Sequence, residues 1–493
     1  MGATVSRAVY EAELARRDAQ IDRLEGQLRE LTRLLQGFKS ERSATFIPPD
    51  QLALFGGQED TVTAADRAPH PPPRPHQNAK PHPGRGRLPA DIPVEEIVLE
   101  PTEDTTGLLQ IGEEVSESLD YRPGHLVLIR RRRPKYARPE TDGSTSVLIA
   151  ELPSRPIAKG AAEPGLLAEV CVAKYVDHLP FYRQIKRFER ELDWVVHKST
   201  VGDWFSATCC LLEPLYQQLL ATVVGADYLQ VDESTIKVQD SAKQGSTHLG
   251  YQWVYRDPAT GLVLFDYRKG RGAHGVLERL ADFTGYLQTD GYRAYQTYLA
   301  RHPEVTGVSC LAHIRRKFYD AQENHPRIAE LVLAAVAWLY HVDAHCRRRG
   351  RSPTQRLALR RRLSLPVYRG LLDYVTYTQA NNLSKGAIGK ALYYAKNELA
   401  KLAACFQDGR IELDNNLIEN SIRPLALGRK NYLFAGSHQA AQRAAMMYSF
   451  FASCQQLGVN PREWLADVLA RLPDHAVNNL EALLPHRWTK PTA

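Results

Sequence analysis

Two aspartates in this sequence have the surroundings expected of metal ligands. Asp232 and Asp290 each follow the apolar residues of a predicted β-strand, Val231 and Leu287 being the nearest. A carboxylate buried without a partner costs several kcal/mol or must take up a proton. Two such carboxylates on neighbouring strands would also repel each other unless a cation lies between them. The pair therefore predicts Mg²⁺ or Mn²⁺, hard ions that take oxygen ligands.

A third ligand is expected from the stretch LDNNLIENSIRPLALGRKN, residues 413–431. On a helix that begins near Asp414, Glu419 and Arg423 share one face at a spacing of four residues, with Asn415 or Asn416 one turn earlier. Glu419 would then complete the metal site. The alternative is an exposed ion pair between Glu419 and Arg423 worth ~0.3–0.5 kcal/mol, and that interpretation would prevail if this stretch stood alone.

The second half of the same stretch is basic. Pro424 is expected to disturb or end the helix. Beyond it, Arg429 and Lys430 could reach the phosphates of a substrate together with Arg423.

The elements that must position these residues begin at Asp227. YLQVDESTIKV, GYQWVYRDP and GLVLFDYRKGR are β-branched and aromatic runs separated by turn residues, which predicts a three-stranded meander. A helix over GAHGVLERLADFTG, a strand in YLQTDGYRAY, another helix and a last strand around GVSCLAH follow. This order, β-β-β-α-β-α-β, is that of the ribonuclease H fold, with Asp232 midway along the first strand and Asp290 ending the fourth.

The interval from Asp290 to Glu419 is far too long for one helix and one strand. It therefore predicts an inserted domain at about 322–396, where the apolar residues recur with helical periodicity.

Residues 1–222 divide into four kinds of segment. Leu14, Ile21, Leu24, Leu28, Leu31 and Leu35 predict a coiled coil within residues 1–40, or else an amphipathic helix that packs on its own chain. Residues 41–90 are rich in Pro and His and are predicted to be a disordered linker. Residues 91–155 predict a small β module in which a run of four arginines, Arg130, Arg131, Arg132 and Arg133, forms a positive edge that is either solvated or in contact with phosphate.

Residues 156–222 have helical periodicity. Ser199 or Thr200 is expected to cap a helix that turns Val201, Trp204 and Phe205 inward and Lys198 outward, as in the second helix of a helix-turn-helix. Three-helix packing without DNA contact is the alternative.

Five sequence blocks resemble the signature of bacterial transposases of the insertion sequence 66 family. They are VDES, LQTDGYRAY, LAHIRRKF, DGRIELDNNLIENSIRPLALGRKNYLFAGS and YSFFASCQQLGVNPREWL. The resemblance covers residues from about 91 to near the C-terminus. It implies a DDE transposase in which Asp232, Asp290 and Glu419 are both the catalytic residues and the ligands of two Mg²⁺ (or Mn²⁺) ions.

The resemblance also implies the surroundings of that site. His313, in a C-x-x-H element with Cys310, would hydrogen-bond a ligand or a phosphate, although a lone C-x-x-H is more often structural. Asn415, Asn416 and Asn420 would orient ligands or phosphate. Many relatives carry a cysteine-based zinc finger where residues 91–155 lie, but this segment contains no cysteine, so no zinc is expected.

Together these patterns predict a multidomain α+β protein of the α/β class with a ribonuclease H-like core and a helical insertion. The expected domains are a coiled coil (1–40), a linker (41–90), a β module (91–155), a helix-turn-helix-like domain (156–222), the first part of the core (223–321), the insertion (322–396), the core helix (397–435) and a helical C-terminal domain (436–493). The residues expected to contact DNA are Arg130, Arg131, Arg132, Arg133, Lys198, Arg315, Arg316, Lys317, Arg423, Arg429 and Lys430.

Composition sets the remaining limits. A net charge of +7 and a pI near 8.9 favour an anionic partner, while seven cysteines without a C-x-x-C pair fit a reducing cytosol. We find no apolar run that would span a bilayer, so we expect a bacterial cytoplasmic protein associated with the nucleoid.

The predicted function is metal-dependent 3′-end cleavage and strand transfer of an insertion sequence. The predicted partners are the transposon ends, target DNA, further copies of the chain and small accessory proteins of the same element. Two alternatives stay open: a transposase-derived DNA-binding protein that does not cut, and a ribonuclease H-like nuclease.

Overall fold

The structure, a computed structural model, describes residues 94–122, 124–139, 145–239, 245–272, 274–323, 325–381 and 386–491. The predicted coiled coil and linker lie outside these ranges. The described chain is mixed α/β and contains two sheets. One group of helices lies between the two sheets in sequence, and another follows the second sheet.

The first sheet contains the arginine run in its central strand. Its strands are β1 (Val94–Val98), β2 (Leu109–Arg122), β3 (His125–Pro139) and β4 (Thr145–Ile149). Strand β3 pairs with β2 along one side and with β1 and β4 along the other. The prediction that the arginines form an edge is therefore wrong. Strands β1 and β2 pair with β3 on opposite sides and place their acidic residues beside its arginines. This pairing joins segments that are separated in sequence.

Three helices connect the two sheets: α1 (Pro164–Tyr175), α2 (Phe181–Leu192) and α3 (Lys198–Val224). The inward placement of Val201, Trp204 and Phe205 on α3 is confirmed. The predicted cap is wrong, because His197 occupies the N-cap and its Nδ1 accepts the N–H of Ser199 at 3.3 Å.

Helix α3 also continues for 27 residues and packs on the second sheet. The hydroxyl of Tyr216 donates to the carbonyl of Phe265 at 2.6 Å. The helices at 164–224 therefore share a core with the second sheet.

The second sheet confirms the predicted element order. Its strands and intervening helices are β5 (Tyr228–Gln239), β6 (Thr247–Arg256), β7 (Val263–Arg268), α4 (His274–Arg279), β8 (Gly285–Gln288), α5 (Arg293–Arg301) and β9 (Val305–Val308). The strand order is β7-β6-β5-β8-β9. Strands β5, β6 and β7 form an antiparallel meander, whereas β8 and β9 run parallel to β5. This sheet places the end of β8 beside β5.

The region after β9 is helical, as predicted for the insertion. Its helices are α6 (Leu311–Asp320), α7 (Pro326–Arg348), α8 (Pro353–Leu359), α9 (Leu365–Asn381) and α10 (Ala387–Leu399), with a π-helical segment at Arg360–Ser364 and a 3₁₀ segment at Ala400–Phe406. A second hydrophobic core lies among these helices and reaches the sheet through Tyr228 and Val308.

Helix α7 corrects one expectation about membranes. By length and composition it is apolar enough to cross a bilayer, so the expectation that the sequence contains no such run is wrong. One of its faces packs in the second core, and Asp343 on that face forms a fully buried ion pair with Arg360. Burial of a paired charge in this helix indicates a core helix.

The chain returns to the second sheet through α11 (Asn416–Tyr432), α12 (His438–Gln456) and α13 (Pro461–Arg471). Pro424 lies inside α11, so of the two predicted effects, disturbing or ending the helix, the second is wrong. Proline removes the hydrogen bond to the carbonyl four residues earlier, which belongs to Asn420, and Asn420 is exposed so that water can replace that bond.

Candidate active site

Asp232 lies in the middle of β5, opposite Val254 of β6. Strand alternation places Val231 in the core, where it is fully buried, and Asp232 at a half-buried position. Its Oδ1 accepts the backbone N–H of Glu233 at 2.8 Å. The site therefore starts on a central strand whose backbone is held on both sides.

Asp290 lies two residues beyond the end of β8, slightly past the predicted position at the strand end. Its Oδ1 accepts the N–H of Tyr292 at 2.9 Å, which closes the turn into α5. Strand β8 runs parallel to β5. The turn after β8 therefore lies at the end of the sheet where β5 continues beyond the segment that pairs with β8.

Glu419 lies in the first turn of α11, and a buried polar network holds that helix against the sheet. Gln288 of β8 donates to the carbonyl of Glu412 at 2.8 Å, and Gln230 of β5 donates to the carbonyl of Asp414 at 3.2 Å. The side chains of Gln230 and Gln288 also bond each other at 2.9 Å. The segment before α11 is thus joined to both acidic strands, although it lies far along the chain.

Asn415 completes this attachment. It is buried at the N-cap of α11, and its Nδ2 donates to the carbonyl of Val231, next to Asp232, at 3.0 Å. Its backbone N–H donates to the sulfur of Cys310 at 3.2 Å. Asn416 instead bonds Asp414 through its backbone and side chain, and Asn420 is exposed on α11.

The three carboxylates interact electrostatically. Burial raises the pKa of Asp232 well above its ordinary value, and the charges of Glu233, Asp290 and Glu419 raise it further. Burial also raises the pKa of Glu419, with Asp414 and Asp290 adding to the effect and His313 and Arg316 opposing it. The structure therefore brings the predicted acidic residues within range of one another.

A tighter set of ligand atoms lies beside them. Among the described residues, the side-chain atoms of Cys310, His313 and Glu419 all lie within 4.8 Å of one another, and Asp232 and Asp290 do not join Glu419 in a set this tight. Strand β9 ends at Val308, and His313 lies on helix α6, which follows it. Burial raises the pKa of the Cys310 thiol, with Asp414 and Glu419 adding to the effect, and its contact with Asn415 gives this cysteine a structural part.

The chemistry of the three carboxylates fits a divalent cation. They offer oxygen ligands only, which Mg²⁺ and Mn²⁺ prefer. His313 and Arg316 lower the pKa of Glu419, but they do not reverse the rise that burial causes. By contrast, the neighbouring Glu233 is paired with Arg271 at 2.6 Å. Clustered and buried negative charge is the condition in which a metal ion is stabilising.

The predicted DNA-contacting cations differ in their environments. Arg131 pairs with Glu163 at 2.7 Å, Arg133 pairs with Glu114 at 2.9 Å, and Arg130 and Arg132 both pair with Glu96. Three of these guanidiniums neutralise acidic neighbours within their own sheet, and Arg131 neutralises the N-cap residue of α1. Their contact with DNA stays a prediction.

The cations nearer the acidic cluster are more varied. Arg429 donates to the carbonyl and hydroxyl of Thr235, which attaches the end of α11 to β5. Arg316, Lys317, Lys430 and Lys198 are exposed, while Arg315 and Arg423 are half-buried.

Sequence reasoning missed the residues that surround Glu233. The hydroxyl of Tyr295 donates to Glu233 Oε2 at 2.6 Å, while Arg271 donates to Oε1. Arg271 lies in KGRG directly after β7, and this basic, glycine-rich loop following a predicted strand was the available signal.

Comparison with known proteins gives consistent results. The profile of the IS66 transposase family matches residues 159–443, that of the IS66 C-terminal element matches 449–486, and one described as Transposase C of IS166 homeodomain matches 23–97. The chain is similar to the uncharacterized protein y4jD of Sinorhizobium fredii, at 32% identity over 94% of both chains. It is also similar to the uncharacterized protein y4qI of the same organism, at 32% identity over 99% of this chain and 95% of that protein. A family match over more than half of the sequence, joined to these relatives, shows that the chain belongs to the IS66 family of transposases.

Proposed function

We propose that this protein is an active DDE transposase with a ribonuclease H-like core. The observation that carries the proposal is the mutual electrostatic effect of Asp232, Asp290 and Glu419, which are held on or beside a sheet of order β7-β6-β5-β8-β9. The helical region between β9 and α11 is an insertion in the core. The hydrogen bond from Gln288 to the carbonyl of Glu412 joins the chain after this insertion to β8.

The residues have distinct parts in the proposed reaction. Asp232, Asp290 and Glu419 hold two divalent cations, which when bound lower the pKa of a water for 3′-end cleavage and stabilise the leaving oxygen. Asn415 fixes the start of α11 against β5 and so positions Glu419. His313 lies beside Glu419, where it can donate a hydrogen bond to that carboxylate or to a phosphate. Asn416 orients Asp414, and Asn420 faces the DNA from α11.

Exposed cations on α6 and α11 contact the DNA backbone. Each contact releases counterions, so binding weakens as salt rises. Because both ends of an element must be cut and joined together, the proposed active form contains more than one copy. Accessory proteins of the same element and a nucleoid location in the bacterial cytoplasm complete the proposal.

The test is cleavage of DNA that flanks the reading frame. Purified full-length protein is incubated with this DNA and Mg²⁺, and nicks are mapped on both strands. Asp290→Asn should reduce cleavage by at least about 10²-fold and leave DNA binding nearly unchanged, because removing one preorganised charge-stabilising group typically costs this much. Asp282→Asn is the matched control, since Asp282 is exposed in the turn before β8 and should cleave normally.

The alternatives give different results. Specific binding without a nick in the presence of Mg²⁺ or Mn²⁺ would support the non-cutting DNA-binding protein. Cleavage without strand transfer, at sites unrelated to the flanking DNA, would support a nuclease. Loss of binding in a folded Asp290→Asn variant would contradict the assigned role.

A further inference from the structure

The guanidinium of Arg271 is held in a fixed orientation beside the acidic cluster. Its Nε and Nη2 donate to Glu233 Oε1 at 2.9 and 2.6 Å. The group lies 3.9 Å from the centre of the Tyr292 ring, and the hydroxyl of Tyr292 donates to the carbonyl of Arg271 at 3.2 Å. Three contacts thus fix both the side chain and the loop that carries it.

This arrangement joins Arg271 to both strands of the proposed site. Glu233 follows Asp232 directly, and the N–H of Tyr292 donates to Asp290. The remaining oxygen of Glu233 accepts the hydroxyl of Tyr295, so the carboxylate cannot turn away from Arg271 without losing that bond. Arg271 is therefore positioned by the same backbone that positions the two aspartates.

The guanidinium retains donors for a further ligand. Its side chain is 46% exposed, whereas that of Glu233 is only 3% exposed. Across the described part of the chain, Nη1 has no hydrogen-bond partner. A planar, partly desolvated guanidinium with unused N–H groups is well suited to a phosphate oxygen.

We infer that Arg271 binds a nonbridging oxygen of one DNA phosphodiester adjacent to the acidic cluster and thereby positions the scissile phosphate. This inference rests on the proposed function and adds to it a specific phosphate-binding residue. A simpler role, neutralisation of buried Glu233, explains the hydrogen bonds of Nε and Nη2 but assigns no contact to the exposed Nη1.

The test removes the charge of one phosphate at a time. Methylphosphonates are placed singly around the wild-type nick, and single-turnover cleavage and DNA affinity are measured for each duplex. For the wild type, one position should lower the rate roughly 10- to 100-fold, the value of one charged hydrogen bond. Arg271→Ala should be slowed by a similar factor with ordinary DNA and should lose the extra effect at that position. Arg271→Lys keeps the charge without the fork and should retain a reduced positional effect.

Two further variants separate a phosphate contact from simpler effects. Lys269→Ala removes an exposed charge from the same loop and should keep the wild-type positional pattern. Glu233→Gln combined with Arg271→Ala should remain slow. Full recovery of the rate in this double variant, or an unchanged positional effect in Arg271→Ala, would overturn the inference. If the wild type binds DNA but never cuts it, the proposed function fails. Methylphosphonates placed singly across the bound DNA, with affinity as the readout for wild type and Arg271→Ala, then still decide the role of Arg271.

Discussion

At the residue scale, Asp232 is the side chain whose environment opposes ionisation most directly. Burial raises its pKa, and the charges of Glu233, Asp290 and Glu419 raise it further. A raised acid pKa gives stability that is fully present below the unfolded-state value of about 3.9 and is lost as pH rises through the folded-state value. The carboxylate therefore costs stability at neutral pH unless a cation is bound.

Asp232→Asn should consequently be more stable than the wild type at neutral pH without metal. We expect a gain on the order of 1–3 kcal/mol, comparable to the cost of a buried unsatisfied polar group. The gain should shrink as pH falls toward about 4, where the carboxyl is protonated in both states. Thermal unfolding as a function of pH, with and without millimolar Mg²⁺, measures it.

Mg²⁺ should stabilise the wild type by mass action and stabilise Asp232→Asn much less. Asp282→Asn, which removes an exposed charge, should follow the wild type under every condition. Equal stability of wild type and Asp232→Asn across the whole pH range would contradict this account of the site.

The local pattern predicts part of the acidic set, because Asp232 interrupts a strand pattern. The stretch around Glu419 alone favours an exposed ion pair, and the prediction of Glu419 as a ligand depends on the family resemblance. The contacts of Arg271 could not be identified in this way, because its partners Glu233 and Tyr292 come from two other elements. Residue types indicate possible chemistry, while the pairing of charges depends on the fold.

At the element scale, helix α12 protects an edge of the second sheet. Strand β7 is the outer strand, and α12 packs on it with two buried serines. Ser453 and Ser449 accept the N–H groups of Val263 and Phe265 at 2.9 and 2.7 Å. Four residues of helix rise about 6 Å and two residues of strand about 6.6 Å, so the two spacings match.

Removing these hydroxyls should destabilise the sheet edge. Ser449→Ala leaves the N–H of Phe265 buried without a partner, which costs about 1–3 kcal/mol, and Ser453→Ala should cost a similar amount. Urea unfolding measures the loss. Gln439→Ala, at an exposed position of the same helix, should change stability by less than about 0.5 kcal/mol. If the serine variants matched that control, the hydroxyls would not be protecting the strand.

The elements themselves were predictable to a useful extent. The order of the five strands and the helical character of the insertion follow from hydrophobic periodicity, and both are confirmed. The central position of β3, the persistence of α11 through Pro424 and the serine contacts of α12 were not predicted. The position of β3 and the serine contacts depend on partners distant in sequence, such as Glu96 for Arg132, and local periodicity carries no information about such partners. The persistence of α11 depends instead on the exposure of Asn420.

At the scale of the whole molecule, two hydrophobic cores are joined at the proposed site. One core unites α1, α2 and α3 with the second sheet and the C-terminal helices, and the other lies among the insertion helices. The segment from Glu412 to Asn415 follows the insertion helices of the second core. It forms hydrogen bonds with β5 and β8, which belong to the second sheet. A complete site therefore requires both cores to be folded.

The proposed cutting of two transposon ends would require two such sites in one complex, and the heptad pattern at the N-terminus is the predicted means of assembly. Ile21 and Leu28 are one heptad apart in the predicted apolar seam. Replacing both by Asp in the full-length chain should reduce the multimer to smaller species, because a charge in the seam loses the burial that drives association. Light scattering coupled to size exclusion measures the mass.

The matched control places the same two charges on the outward face of the same predicted helix. Ala19→Asp with Gly26→Asp should leave the multimer intact, since these positions face away from Ile21 and Leu28 in the heptad. The seam variant should still nick single ends, because Asp232, Asp290 and Glu419 come from one chain, but it should fail to join two ends. A seam variant with unchanged mass would show that the heptad pattern does not assemble the protein. Joining of paired ends by a variant that does not form a multimer would contradict the requirement for two sites.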